Sequence, residues 1–179
     1  RMGCMGHYYG GMLDVYTDLT LQLGTFGGHI EMLEVDELAE FRRKVTEKEI
    51  ADHIKQFYTE FDIDKKCSEA DLKQAARTSA ALDKLIEKHD LGSMAYFYNG
   101  TGVSENEDAI SSIIMANSML TSRGIPIAGE YEIKNVQAMK IMDCFGAGGS
   151  FTEFYALDFK DDVILMGHDG PGHLAIAEG

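Results

Sequence analysis

Three side chains toward the end of the chain have the types and surroundings that divalent-metal chemistry requires. Glu130 directly follows a short apolar run, Glu153 lies inside an aromatic-rich segment, and His168 ends another apolar run. Two carboxylates and a neutral imidazole form an oxygen-rich ligand set that suits hard or borderline divalent cations. If the three converge, the sequence predicts a metal site and, with it, an enzyme.

Glu153 is the most informative of the three because of the strand face that it is expected to occupy. Side chains alternate along a strand, so a strand over 151–159 places Glu153 on the more apolar face, with Phe151, Tyr155, Leu157 and Phe159. This predicts a buried carboxylate, which must be protonated, paired with a cation or bound to a metal. The alternative to a metal is a salt bridge, but few basic residues lie nearby in the sequence.

The position of His168 follows from the hairpin that the last two apolar segments predict. A two-residue loop at 160–161 places Glu153 directly opposite His168, whereas a loop at 161–162 places it opposite Gly170. Both registers put the two side chains on one face, within roughly 5–8 Å, but a three-residue loop would separate them. A lone histidine on an apolar strand is more often a core residue, yet a neighbouring glutamate favours a ligand role.

Glu130 is expected where a strand ends and a helix begins. In open α/β sheets, ligands bind at this edge because loops and helix amino termini converge there. The structural alternative is a carboxylate that interacts favourably with the helix dipole. The position of Glu130 is therefore compatible with a ligand role without requiring one.

The elements that must position these residues alternate between strands and helices. This order predicts an α/β fold with a mostly parallel sheet flanked by helices on both faces. Strands are expected over 1–6, 30–35, 94–98 and 125–129. Thr46 and Ser104 each begin a capping-box pattern, and the helix that follows Ser104 is expected to continue to Arg123.

The pattern changes after the glycine-rich segment 146–150, where two strands follow each other without a helix between them. We therefore predict an antiparallel hairpin there. We expect residues 1–147 to form a central α/β domain and residues 148–179 to be the first strands of an incomplete, β-rich C-terminal domain. The chain opens on Arg1 rather than Met, which indicates a processed product or a piece of a longer protein.

Composition excludes several classes of function. The formal net charge is −14, from 30 acidic and 16 basic residues, and such a surface repels nucleic acids and anionic membranes. The sequence has no apolar run long enough to span a membrane. Three widely spaced cysteines form neither a disulfide framework nor a paired metal motif, which predicts a cytoplasmic location.

Four strings in the second half of the chain resemble the core of L-arabinose isomerase and its L-fucose isomerase-like relatives. They are AGE at 128–130, KIM at 140–142, GGSFTE at 148–153 and VILMGH at 163–168. Residues 1–12 and the strand at 94–98 are similar more loosely. Family members have two α/β domains and a C-terminal β domain, bind Mn²⁺ and interconvert aldoses and ketoses as trimers or hexamers.

The resemblance implies that Glu130, Glu153 and His168 are metal ligands and that both glutamates also act as acid and base through a metal-stabilised enediol. It further implies that Met12 lines the substrate site. The family's fourth ligand is a histidine further downstream, and its N-terminal domain completes the site from a neighbouring subunit. This sequence includes neither part, and His173 does not replace the missing ligand, so we expect the chain alone to be inactive.

Other functions remain open at this point. The segment 168–173 differs from that of the best-known arabinose isomerases, so an isomerase of the same family with another sugar is one alternative. A non-catalytic α/β module that binds sugar or has a regulatory role is another alternative. It requires that groups within the protein pair with Glu153 and His168 and that no divalent metal is bound. A metal-dependent hydrolase is a third alternative, but it requires more ligands than the sequence offers.

Overall fold

The computed structural model describes residues 1–102 and 104–177 of the chain. A parallel sheet has the strand order β2-β1-β3-β4, from β1 (Met2–Gly6), β2 (Ile30–Leu33), β3 (Ser93–Phe97) and β4 (Ile127–Ala128). The helices are α1 (Leu19–Phe26), α2 (Val35–Arg43), α3 (Glu47–Glu60), α4 (Glu69–His89), α5 (Glu105–Ser111), α6 (Ile114–Ser122) and α7 (Ile133–Cys144). Strands β5 (Glu153–Asp158) and β6 (Val163–Gly167) form a separate antiparallel hairpin. The predicted fold class is therefore confirmed.

Both faces of the parallel sheet are covered, which explains why its strands are short apolar runs. Met5 points into a cluster that contains side chains of α2, α4, α5 and α6. Its neighbour Cys4 points into a second cluster, which contains side chains of α7 and Phe151. Within the described residues, no helix combines the length and apolar character needed to cross a bilayer.

The capping predictions hold in part. Thr46 forms the complete capping box with Glu49 at the start of α3. Ser104 caps α5 by accepting from the N–H of Glu107, but the Glu107 carboxylate accepts from the N–H of Gly102 instead of completing the box.

The prediction of one helix from Ser104 to Arg123 is wrong, because the segment forms two helices, α5 and α6. The hydroxyl of Ser112 lies between them. It donates to the carbonyl of Asp108 and shares a 2.6 Å hydrogen bond with the hydroxyl of Thr78. A serine hydroxyl that bonds to a backbone carbonyl one turn earlier often bends a helix, and the bond to Thr78 on α4 holds Ser112 at the break.

The hairpin also departs from its prediction. Its loop has four residues, 159–162, because Asp158 pairs with Val163 and no pair forms nearer the turn. The Asp158 carboxylate accepts from the N–H groups of Lys160 and Asp161, and this local bonding stabilises a turn in place of a further strand pair. The predicted two-residue loop is therefore wrong, although the pairing next to the turn is the register that a loop at 160–161 predicts.

The expectation that Glu153 is buried on an apolar strand face is wrong as well. Glu153 is half-buried, and Tyr155, Leu157 and Phe159 are 52%, 53% and 91% exposed. Only Phe151, which precedes β5, enters the core beneath the sheet. The apolar pattern was read correctly as a strand, but nothing in the described part of the chain covers this face of the hairpin.

The segment after β6 returns to the α/β unit and packs on α6. The N–H of Gly172 donates to the hydroxyl of Ser118 at 3.1 Å, and the N–H of Leu174 donates to the hydroxyl of Ser122 at 2.7 Å. The hairpin is thus held at its base from both sides, by Phe151 before β5 and by these bonds after β6. The domain boundary near residue 147 remains a prediction.

Candidate metal centre

The structure brings Glu130, Glu153 and His168 together. One ligand atom from each lies within 4.8 Å of those of the other two, and all three side chains are half-buried. Glu130 lies in the loop between β4 and α7, Glu153 begins β5, and His168 directly follows β6. The convergence expected from the sequence is therefore present, while the roles of the three residues stay predictions.

A β-bulge sets the relative position of Glu153 and His168. The ladder shifts by one residue between Phe154 and Ala156, so that Glu153 pairs with Gly167 instead of His168. A bulge bends its strand and re-aims the side chains beside it. Glu153 and His168 therefore lie at neighbouring positions at the base of the hairpin, close to the edge of the parallel sheet.

The loop that carries Glu130 has an unusual backbone. Glu130 and Tyr131 both have positive φ angles, 57° and 62°. Three backbone hydrogen bonds hold this loop: Tyr9 N–H to the Glu130 carbonyl at 3.3 Å, Tyr131 N–H to the Tyr96 carbonyl at 3.0 Å, and Glu132 N–H to the Gly129 carbonyl at 2.9 Å. The loop is thus attached to the segment that follows β1 and to β3 itself.

The electrostatics of the site are those of crowded carboxylates. Burial and then the neighbouring Glu153 carboxylate raise the pKa of Glu130, and His168 opposes this shift. Burial also raises the pKa of Glu132, while Lys134 opposes it. A group of carboxylates whose charge is unfavourable in the protein alone is one that a bound cation stabilises.

The three residues fit a divalent cation by two criteria. Around an ion held at about 2.1 Å, two ligand atoms lie at most about 4.2 Å apart, so the observed limit of 4.8 Å requires only a small contraction. The Nδ1 atom of His168 is buried and finds no hydrogen-bond partner within the described residues. The His168 ring itself rests against Phe151, with 4.3 Å between ring centroids.

A cleft of about 400 Å³ adjoins the three residues, and Glu130 and Glu153 form part of its wall. Met12 also lines it, as the family resemblance implied. The complete lining is Met12, Asp14, Val15, Glu130, Glu132, Asn135, Phe151, Thr152, Glu153 and Phe154. Carboxylates and an amide alternate with aromatic rings, a combination typical of small-ligand sites.

A somewhat larger cleft, about 460 Å³, lies between the start of α4 and helices α5 and α6. Cys67, Asp71 and Asp108 are among its lining residues. In the part of the chain that the structure describes, the one group of three potential metal ligands is that of Glu130, Glu153 and His168. We therefore assign the functional site to the smaller cleft.

Sequence reasoning missed four polar residues of this cleft, Asp14, Glu132, Asn135 and Thr152. A signal for two of them was available: Glu132 lies in the same strand-to-helix loop as Glu130, and Asp14 lies in the loop after β1. Loops that follow parallel strands meet at one edge of the sheet. Acids in such loops could have been grouped before the fold was known.

The sheet is open and parallel, and the loop with Glu130 and the adjoining cleft lie at its carboxyl edge, which is where α/β proteins generally bind small molecules. Residues 20–148 match the family model of the L-arabinose isomerase central domain. The chain belongs to this family of sugar isomerases, which confirms the resemblance. The match includes Glu130 and ends before Glu153 and His168. Among curated protein sequences, none matches this chain at a significant level.

Proposed function

We propose that the chain forms the catalytic core of an aldose–ketose isomerase that acts on a small sugar, of the L-arabinose to L-ribulose type. The observation that carries this proposal is the convergence of Glu130, Glu153 and His168 within 4.8 Å at the sheet edge. The family match supports it independently, because it rests on residues 20–148 and includes only one of the three ligands.

The chemistry of isomerisation accounts for the two carboxylates. Moving a carbonyl from C1 to C2 requires a proton to leave one carbon and return to its neighbour, and two carboxylates can serve as base and acid. Glu130 and Glu153 come from different elements, the β4–α7 loop and the hairpin, and both line the adjoining cleft, where a substrate can reach them.

His168 completes an oxygen-rich ligand set that suits Mn²⁺ or Mg²⁺ better than metals that prefer thiolates. When bound by these three side chains, such a cation supplies stabilisation of the negative charge that develops on the sugar oxygens. The packing of His168 against Phe151 fixes the orientation of the imidazole ring. The chain's own contribution is therefore to hold two proton-transferring groups and one neutral ligand in place.

The adjoining cleft has the composition expected for a sugar. Asp14, Glu132 and Asn135 offer acceptors for hydroxyl groups, and the exposed ring of Phe154 offers an apolar surface for C–H groups. Met12 lines the same cleft and is the substrate contact that we propose from the family resemblance. A volume of about 400 Å³ falls within the range of small-molecule sites.

The test uses Glu153→Gln, which keeps the shape of the side chain and removes its charge. We expect the full-length protein with this change to lose ketose formation and to bind Mn²⁺ at least tenfold more weakly, as read from the EPR signal of free Mn²⁺. Asp161→Asn is the matched control, since it removes one negative charge at the far, exposed end of the same hairpin. It should leave both quantities unchanged.

Near-wild-type ketose formation in the folded Glu153→Gln protein would overturn the proposal. Sugar binding that is equally strong in Mn²⁺ and in chelator would instead favour a non-catalytic binding module. Isothermal titration of the sugar under both conditions separates these outcomes.

A further inference from the structure

The backbone at Glu130 and Tyr131 places two consecutive residues with a Cβ in the left-handed region, with φ of 57° and 62°. This region is sterically unfavourable for all residues except glycine. Such conformations persist only where surrounding contacts over-determine them, and they concentrate at functional sites. Contacts with neighbouring residues must therefore hold Glu130 and Tyr131 in this conformation.

The side chain of Tyr131 provides those contacts. It is 2% exposed and belongs to the apolar cluster beneath the sheet. Its ring meets that of Tyr8 edge-on, with centroids 4.7 Å apart. Its hydroxyl lies 3.7 Å from the Sδ atom of Met32 and interacts with the thiol of Cys4, and these two residues pair across β1 and β2.

The backbone of Tyr131 is anchored as well, because its N–H donates to the carbonyl of Tyr96 at the end of β3. Tyr131 thus contacts three of the four parallel strands. By comparison, the Glu130 carbonyl accepts one long hydrogen bond among the described residues, 3.3 Å from the backbone nitrogen of Tyr9. The position of Glu130 therefore depends on its neighbour more than on its own contacts.

We infer that Tyr131 is a positioning residue: its buried ring holds the left-handed loop and thereby directs the Glu130 carboxylate toward Glu153 and His168. This inference rests on the proposed role of Glu130 as a metal ligand. A residue that only fills the core would contribute to stability without affecting the geometry of the metal site. Residues that orient metal ligands change metal affinity by about 10–100-fold when they are altered.

The variant Tyr131→Gly tests the role of the buried ring separately from the backbone strain. Glycine accepts a positive φ without strain, but it removes the ring, so we expect Mn²⁺ affinity to fall tenfold or more in the folded protein. Tyr131→Phe keeps the ring and its packing, and we expect its affinity to stay within about threefold of the wild type. Tyr131→Leu replaces the glycine variant if that protein does not fold, with the same expected loss. Phe57→Leu, in a different core cluster, is the control for lost packing and should leave Mn²⁺ affinity unchanged.

Crystal structures determined in chelator provide a readout that does not depend on the metal. In the wild type and Tyr131→Phe, the Glu130 carboxylate should lie near Glu153 and His168, and in Tyr131→Gly it should move away. An unmoved carboxylate in the glycine variant, or an unchanged Mn²⁺ affinity, would overturn the inference. Failure of the wild type to bind Mn²⁺ would count against the proposed function alone, because the structures would still decide the role of Tyr131.

Discussion

The crowding of Glu130 and Glu153 leads to an unusual expectation: removing one of the two carboxylate charges should stabilise the metal-free protein. At 4.8 Å, the upper limit of their separation, two unit charges repel by about 1 kcal/mol at the dielectric constant of water and by about 3.5 kcal/mol at an effective value of 20. Both groups are half-buried, so the lower part of this range applies. Glu130→Gln, which removes one charge at constant shape, should therefore stabilise the protein by about 1–2 kcal/mol in chelator.

The assay is thermal unfolding with and without Mn²⁺. For a chain of this length, 1 kcal/mol corresponds to about 2–4 °C in Tm, so Glu130→Gln should unfold several degrees higher than the wild type in chelator. At a free Mn²⁺ concentration of 100 times Kd, the wild type gains about 2.7 kcal/mol, whereas the variant gains little. The order of the two Tm values should then reverse.

Two results would refute this reasoning. A lower Tm for Glu130→Gln in chelator would mean that the carboxylate makes a net favourable interaction in the metal-free protein. An equal rise of both Tm values in Mn²⁺ would mean that the ion binds elsewhere. Asp161→Asn, at the exposed loop of the hairpin, controls for the general effect of removing one negative charge from an acidic protein.

Two further predictions concern stability away from the site. The hydrogen bond to Asp83 raises the pKa of His53 above 6.5 against the opposing effect of burial. The stabilisation is therefore fully present below pH 6.5 and is lost as pH rises through the folded pKa, so urea titrations from pH 5.5 to 8.5 should show a flatter profile for His53→Gln. The pKa of Glu49 is lowered to about 2, first by Lys84 and then by Thr46. Thr46→Ala should cost about 1 kcal/mol at neutral pH. The part of this cost that comes from the Glu49 carboxylate should be lost as the pH falls from 4.5 through the folded pKa of about 2, as acid unfolding can measure.

The sequence was sufficient for the fold because its signals are local. Alternating strands and helices predicted the parallel sheet, and Thr46 with Glu49 predicted the start of α3. The break between α5 and α6 was not predictable in the same way. It depends on a hydrogen bond between Ser112 and Thr78, which lies on a different helix.

The site could be predicted in outline but not in geometry. Residue types and strand positions brought Glu130, Glu153 and His168 to attention, and they do meet. The bulge near Tyr155 and the loop that Asp158 stabilises set the register of the hairpin. Other registers are nearly equivalent, and a pattern of alternating apolar residues does not distinguish between them. The burial of Glu153 was overestimated. An apolar strand face indicates that burying this face is favourable, but it does not show that other residues of the same chain pack against it.

The hairpin carries Glu153 and His168 at one end and its loop at the other, and within the described residues the end with Glu153 and His168 is the one attached to the α/β unit. The loop at 159–162 is exposed and makes hydrogen bonds mainly within itself. Loop tips of this kind tolerate added residues and chemical labels. A fluorophore attached there would therefore report hairpin motion while leaving Glu153 and His168 in place. One extra residue between Glu153 and Ala156, in contrast, would turn the strand and move the Glu153 carboxylate away from His168.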